Sequence, residues 1–290
     1  MKLVIVSGRS GSGKSTALHV LEDLGYYCID NLPIGLLLDL GKQSSESNDE
    51  RLSKVAISID ARNLESSIVN FPAFYEECLR QNTVIDIIFL DARSDALLKR
   101  FNATRRKHPL SDSSNSLKEA IKKERDLLDP IAIKADLNID TSNLSLYELR
   151  DLIKVRVAGR KSQELAILFQ SFGFKHGVPS DADFVFDVRC LPNPYWDPSL
   201  RKYNGLEEPV KIFLAKQPEV IKMQQDLIQF LENWLPQYKD SNRSYMTISI
   251  GCTGGQHRSV YLCEQIGQYF TQIYNNVQIR HKELSHSLKK

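Results

Sequence analysis

The sequence predicts an α/β fold built twice: a parallel-sheet domain that opens on a phosphate-binding loop, followed by a second α/β domain with a glycine-rich anion-binding loop. Three observations carry this reading. Short β-branched runs alternate with amphipathic stretches through the first half, as βαβ units require. Two glycine-rich loops, Gly8–Ser15 and Gly251–Ser259, each stand between an apolar run and an amphipathic one. The chain has 290 residues, which at roughly 150 per domain is the length of two domains.

In chain order, Leu3–Val6 is apolar but too short for a leader segment, and it runs straight into glycine, so it reads as a strand. Further strands are expected at Tyr26–Ile29, Val55–Ile59, Ile85–Leu90 and Leu137–Ile139. The unbroken Ile87-Ile88-Phe89-Leu90 suits a strand covered on both faces. Helical spacing covers Lys14–Leu24, Ala96–Lys107 and Leu117–Leu128, and the polar Gln43–Arg51 reads as a loop. From Ser145 a helical pattern continues through Leu149, Leu152 and Ile153 towards Leu168, and the domain boundary is placed inside it, giving domains 1–153 and 154–290. The second domain shows strands at Phe184–Val188, Met246–Ile250 and Val277–Arg280, a proline-rich turn over Leu191–Pro198, and a helix after Arg258.

Composition narrows the function classes. Hydrophobic residues are 42% and charged residues 26%, which excludes a largely disordered chain. Net charge is +2, so nucleic-acid binding would have to rest on local clusters, such as Lys154–Lys161 and Arg280–Lys290. No apolar run reaches the ~18 residues of a membrane span. The five cysteines are odd in number and lack CxxC spacing, which argues against disulfide frameworks and zinc sites. A soluble, cytoplasmic protein is expected.

Gly8-Arg9-Ser10-Gly11-Ser12-Gly13-Lys14-Ser15 matches G-x-x-x-x-G-K-[ST] at every fixed position. The glycines let backbone N–H groups face a phosphate, Lys14 reaches the outer phosphates, and Ser15 ligates Mg²⁺. A second carboxylate at a buried strand end should sit nearby. Asp60 and Asp91 both qualify, although turn or cap aspartates are as common, and Asp30 is a third strand-end carboxylate. Thr104-Arg105-Arg106-Lys107-His108-Pro109 reads equally as a phosphate-clamping lid or as cations at a helix C-terminus. On this half alone the chain is a small-molecule kinase or a nucleotide-binding switch.

Ser249–Ser259 repeats the strand, glycine loop and helix order, with Arg258 placed to grip an anion. Its residues also fit C-x5-R-S, the loop of cysteine phosphatases, with Cys252 as thiolate and Asp197 as a candidate acid. Against catalysis, Gly251 stands where such enzymes have histidine, and a phosphatase leaves the nucleotide domain unexplained. A non-catalytic phosphate pocket fits better.

Several strings together carry a resemblance. They are Val6–Ser15, Asp30-Asn31-Leu32-Pro33, Ser171–Gly177, Asp187-Val188-Arg189 with Leu191-Pro192-Asn193-Pro194, and Gly251–Gly255 with His257-Arg258-Ser259. Across essentially its whole length the chain resembles the RapZ family of RNase adapter proteins, also described as P-loop nucleotide-binding proteins. The resemblance implies a kinase-like P-loop domain that binds ATP and GTP with Mg²⁺ and is at most a weak NTPase, with a further nucleotide contact at Asp60-Ala61-Arg62-Asn63. It implies a C-terminal domain that binds RNA and senses glucosamine-6-phosphate through Asp187, Arg189, Thr253, Gly254, His257 and Arg258. It also implies a homo-oligomer that presents a small regulatory RNA to RNase E and so controls amino-sugar synthesis. Arg280, Lys282, Lys289 and Lys290 are the tail cations expected to touch RNA phosphates. Two features depart from well-studied relatives: Tyr195 replaces a histidine, and the basic tail is diluted by Leu284, Ser285, Ser287 and Leu288.

Overall fold

A computed structural model describes residues 2–37, 39, 50–80, 83–111, 115–158, 165–241 and 243–284. The chain divides into two compact units, Met1–Gly159 and Arg160–Lys290. The boundary expected at 153/154 falls inside a helix, Leu146–Ala158, that belongs to the first unit.

In the first unit, strands β1 (Lys2–Gly8), β2 (Tyr27–Ile29), β3 (Lys54–Ile59), β4 (Val84–Asp91) and β5 (Leu137–Asp140) form one sheet. All pairings are parallel and the order is β2-β3-β1-β4-β5. The central strands are buried almost throughout because helices cover the sheet. One layer of the core gathers Leu3, Ile5, Ile57, Ile87 and Phe71. Helix α1 (Lys14–Asp23) follows β1, so the glycine loop sits at the carboxyl end of the middle strand, where open parallel sheets hold ligands. Of the polar run Gln43–Arg51, 43–49 lie outside the described residues, while Glu50–Ser53 is a short 3-10 turn.

The second unit holds β6 (Ala166–Gly173), β7 (Phe184–Asp187), β8 (Tyr245–Cys252) and β9 (Val277–His281). These strands are also all parallel, in the order β7-β8-β6-β9. The expected helix reaching Leu168 is corrected here: the helix ends at Ala158, and Ala166–Gly173 is a strand buried at every position. Ala166-Ile167-Leu168-Phe169 is apolar throughout, and such a run takes its form from the strands on either side of it. Two helices, Glu208–Ala215 and Pro218–Asp240, fill the long connection before β8. Their Val210, Leu214, Val220, Leu227, Leu231 and Leu235 join the core under β8. Among the described residues no helix is long and apolar enough to cross a membrane.

Candidate functional site

Each unit carries one glycine-rich loop between a strand and a helix, and each loop is shaped by its sequence. In the first, Gly8, Gly11 and Gly13 all have positive φ (141°, 83° and 110°), where a side chain is strained. A Cβ on Gly8 would lie 2.0 Å from the Leu90 carbonyl oxygen, so the loop needs glycine there for contact as well as for φ.

Lys14 is folded back over its own loop. Its Nζ donates to the carbonyls of Gly8 (2.8 Å) and Arg9 (3.3 Å) and lies 3.9 Å from Asp60 Oδ2. Burial lowers its pKa below the ordinary lysine value, and the carboxylates of Asp60 and Glu124 only partly offset this. Burial disfavours ionisation of Asp60, but the Arg62 fork, at 2.8–3.1 Å, and Lys14 outweigh it and hold the carboxyl below its usual range. Asp60 is therefore the strand-end carboxylate at the phosphate loop. Asp91, the other candidate, is bound to Arg9 Nε at 2.6 Å and holds the loop to β4.

A cavity of about 970 Å³ opens over this loop. Of the expected nucleotide residues, Ser10, Gly11, Ser12, Gly13, Lys14, Ser15, Asp60 and Arg62 line it. Gly8 lies beneath as a carbonyl acceptor, and Arg9 turns its buried side chain away towards Asp91 and the Ala92 carbonyl. Ala61 is buried, and Asn63 serves structure: its Oδ1 accepts from the Ile34 N–H (3.0 Å) and its Nδ2 donates to Asn31 (3.1 Å). Thr104, Arg106, Lys107 and Pro109 line the cavity, as the lid reading of that segment expects. Asp30 lines it too.

The residues present fit Mg²⁺. The Ser15 hydroxyl stands in the cavity with the Asp60 and Asp30 carboxylates, and Mg²⁺ needs few protein ligands once phosphates and water supply the rest. Among the described residues no group of three His, Cys, Asp or Glu side chains that could hold a metal ion is present.

Sequence reasoning missed how the Thr104–Pro109 segment is tied to the loop. Glu124, fully buried on helix Leu117–Ala132, accepts from Ser10 N–H (2.9 Å) and Ser10 Oγ (2.7 Å) and contacts His108 Nε2 at 3.0 Å. Burial raises its pKa, and the bonds from His108 and Ser10 more than reverse this, leaving it ionised below the ordinary glutamate range. It also missed the far wall, where Arg100 bonds Gly11 O and Thr141 Oγ1, both at 3.0 Å, and where Leu144, Leu146 and Leu149 are apolar. These partners lie between 16 and 114 residues apart in the chain, and no local pattern marks them.

In the second unit the loop runs from β8 into helix Arg258–Thr271. Arg258 is anchored, because one guanidinium nitrogen donates to the carbonyls of Arg189 (2.8 Å) and Leu191 (2.9 Å) and the other approaches Thr253 Oγ1 at 3.4 Å. His257 Nε2 donates to Tyr203 O at 2.7 Å, and burial lowers its pKa, so the ring is neutral. Asp187 and Arg189 form a two-toothed pair at 2.7–3.0 Å, which keeps Asp187 ionised. Asp187, Arg189, Thr253 and Arg258 are thus linked by hydrogen bonds, with Lys175 Nζ 4.0 Å from where a side chain on Gly254 would begin, while the His257 ring is engaged by Tyr203 O. Asp197 is not set up as an acid: its carboxylate accepts from Ser199 N–H and Oγ (2.9 and 2.7 Å), which hold it ionised. A Cβ on Gly251 would lie 2.4 Å from the Phe172 ring, so a histidine there would require the Phe172 and Phe174 rings to shift. Of the tail cations, Arg280 is in β9 and Lys282 N–H bonds Ser171 O, while Lys289 and Lys290 lie outside the described residues.

A glycine loop carrying Lys14 and Ser15 at the head of a parallel sheet defines a P-loop nucleotide-binding protein of α/β fold. Comparison with known proteins sharpens this. Family models described as the RapZ-like N-terminal domain and the RapZ C-terminal domain match residues 1–161 and 165–285. Proteins named nucleotide-binding protein from Marinobacter nauticus and Hahella chejuensis are 64% and 62% identical, over 99% and 98% of this chain and 98% and 100% of theirs. The chain belongs to the RapZ family. Among solved structures, a Janibacter sugar kinase (17% identical, TM-score 0.35) covers 53% of this chain and 92% of its own. A Bacteroides thetaiotaomicron shikimate kinase (16%, TM-score 0.34) covers 52% and 94%.

Proposed function

We propose that this protein is a regulatory adapter that reads two phosphorylated ligands, ATP or GTP with Mg²⁺ in the first unit and glucosamine-6-phosphate in the second, and binds a small regulatory RNA for RNase E. The observation that carries it is the presence of one built anion loop in each unit, Lys14 over the first and Arg258 over the second. In the first cavity the loop takes the phosphates, Ser15 holds Mg²⁺, and the apolar Leu144, Leu146 and Leu149 suit a base. Arg106 and Lys107 add lid charge over those phosphates. In the second loop, Arg258 and Lys175 grip the sugar phosphate, and the Asp187 carboxylate suits the protonated amine.

For RNA, the motive is the cation set Arg280, Lys282, Lys289 and Lys290 together with an exposed aromatic pair. Tyr195 and Trp196 are 51% and 74% exposed, ring centroids 6.0 Å apart, with Arg201 over Tyr195. Such faces stack unpaired bases. Because Arg258 bonds the backbone at Leu191 in the same turn, the sugar phosphate and RNA are expected to compete or couple reciprocally. The assembly is proposed to be a homo-oligomer in the cytoplasm. The test is filter binding of structured RNA to the full chain at low salt, with and without glucosamine-6-phosphate. RNA retention that the sugar phosphate lowers supports the reading. Absence of any retention by the folded protein defeats it.

A further inference from the structure

We propose that Cys252 is a nucleophile directed at the phosphorus of a phosphate monoester bound in the second loop, so that this unit is a slow phosphatase as well as a sensor. The inference rests on the reading of that loop as an anion pocket, and three features of geometry carry it beyond binding.

First, the sulfur is cradled. Cys252 Sγ receives the Gly255 N–H at 3.3 Å and lies 3.1 Å from Ser259 Oγ. A buried thiol in an apolar site has no such company; Cys263, fully buried on the neighbouring helix, has its pKa pushed well up. At Cys252 burial acts in the same direction, but the Ser259 hydroxyl and the N–H groups of Ser259, Gly255 and His257 outweigh it, and the thiol lies below the ordinary cysteine value. Donors converging on sulfur favour thiolate, the form that attacks.

Second, Arg258 is held ready. It is 4% exposed, two backbone carbonyls fix one end of its fork, and Nε has no partner. The second terminal nitrogen stands by Thr253 at the loop mouth. A buried, unpartnered guanidinium N–H is costly unless an anion completes it. A phosphate there would lie in the same seven-residue loop as the sulfur. Third, the Phe172 and Phe174 rings occupy the space beside Gly251 and wall the strand end before Cys252 in apolar surface.

In the proposed step the Cys252 thiolate forms an S–P bond while the ester P–O bond breaks. The bonding pair leaves on the sugar or aryl oxygen, which takes its proton from solvent water because Asp197 is held ionised elsewhere. A water then forms a new O–P bond, the S–P bond breaks, thiolate returns, and the water's proton goes to the released phosphate and solvent. With no acid poised at the leaving oxygen, turnover is slow and favours aryl phosphates, whose leaving oxygen is less basic.

The test uses the full chain without nucleotide. Phosphate release is measured from p-nitrophenyl phosphate and from glucosamine-6-phosphate, with acid-quenched peptides searched by mass spectrometry for phosphocysteine at Cys252. The expected result is slow release, a phosphate adduct at Cys252, and at least about a hundredfold loss in Cys252→Ser. Ser259→Ala removes one donor to sulfur, so the acid limb of its pH–rate profile should move to higher pH while the sugar phosphate still binds by calorimetry. Binding without release or adduct overturns the nucleophile and leaves the sensor standing. An aryl-phosphate adduct without sugar-phosphate binding overturns the ligand assignment and leaves the nucleophile. Release that survives in Cys252→Ser overturns the proposal outright.

Discussion

The two glycine-rich loops hold a cation in opposite ways. The first uses three glycines at positive φ and a cation on a long, bendable stem, and Lys14 lies on the carbonyls of its own loop. The second has a single positive φ, at Gly255, and a cation bolted to the carbonyls of Arg189 and Leu191. Lys14 must exchange internal partners for phosphate when a nucleotide enters, so the first loop is responsive. Arg258 is fixed at one end by backbone carbonyls, so the second loop is rigidly built. The difference follows from chemistry: an ammonium is a point charge that can swivel, whereas a guanidinium fork can be fixed at one end and still bind at the other.

The largest effect expected on this comparison is at the backbone of the first loop. Gly8→Ala places a Cβ 2.0 Å from a β4 carbonyl at φ 141°, and should cost on the order of 4 kcal/mol or abolish folding of the first unit. Gly25→Ala, with φ 83° but open space, should cost only about 1–2 kcal/mol. Thermal melts of both variants separate close contact from backbone strain; equal losses would show that the contact at Gly8 relaxes freely.

Next come the two cations. Lys14→Ala should reduce ATP and GTP affinity about a hundredfold, roughly 3 kcal/mol, with little change in folding because it removes a buried charge along with its bonds. Arg258→Ala should lose anion binding and also about 2–4 kcal/mol of stability, since two buried carbonyls lose their donor. Anisotropy with labelled nucleotide and denaturant melts read the two quantities separately. A stable Arg258→Ala would break the claim that this arginine is structurally anchored.

Much of this was legible in the sequence where the chemistry is contiguous. The first-half strands, the P-loop from Gly8 to Ser15 and the second loop at Gly251–Ser259 sit where periodicity and glycine spacing put them. What was not legible depends on distant partners. Ala166-Ile167-Leu168-Phe169 extends a helical pattern in sequence but is a central strand because β8 and β9 pair with it. Asp60 and Asp91 look alike at the ends of two strands. Only the fold shows that one meets Lys14 and the other Arg9. Glu124 lies within the helical spacing of Leu117–Leu128, and only the fold shows that it is buried against Ser10 and His108.

A smaller effect separates the units by pH. In the second unit, burial lowers the pKa of His257 and of His281 below the histidine value. The unfolded chain then binds more protons, so their contribution is complete above pH ~6.5 and is lost as pH falls below it. In the first unit the buried carboxyls Asp60 and Glu124 are depressed, and their contribution survives to their unfolded values near pH ~4 and is lost only below them. Hydrogen exchange followed separately in the two units between pH 7 and 5 should show the second loosening first. Parallel loosening would mean that the histidines are not the controlling groups.

The smallest effect concerns the chain's last cations. If RNA is held by phosphate contacts, each tail lysine contributes one released counterion and little sequence information. Lys282 is placed by its N–H bond to Ser171 O at the end of β9, so its position is set by the sheet. Lys282→Ala should therefore weaken every RNA by a similar small factor, and should lower the slope of log affinity against log salt by about one. Trp196→Ala should leave that slope unchanged, because its exposed ring can stack on a base but neutralises no phosphate. Salt titrations of wild type and the two variants on two unrelated RNAs decide it. A Lys282→Ala defect confined to one RNA, with an unaltered slope, would remove this lysine from the phosphate contacts and place it among the groups that read sequence or shape.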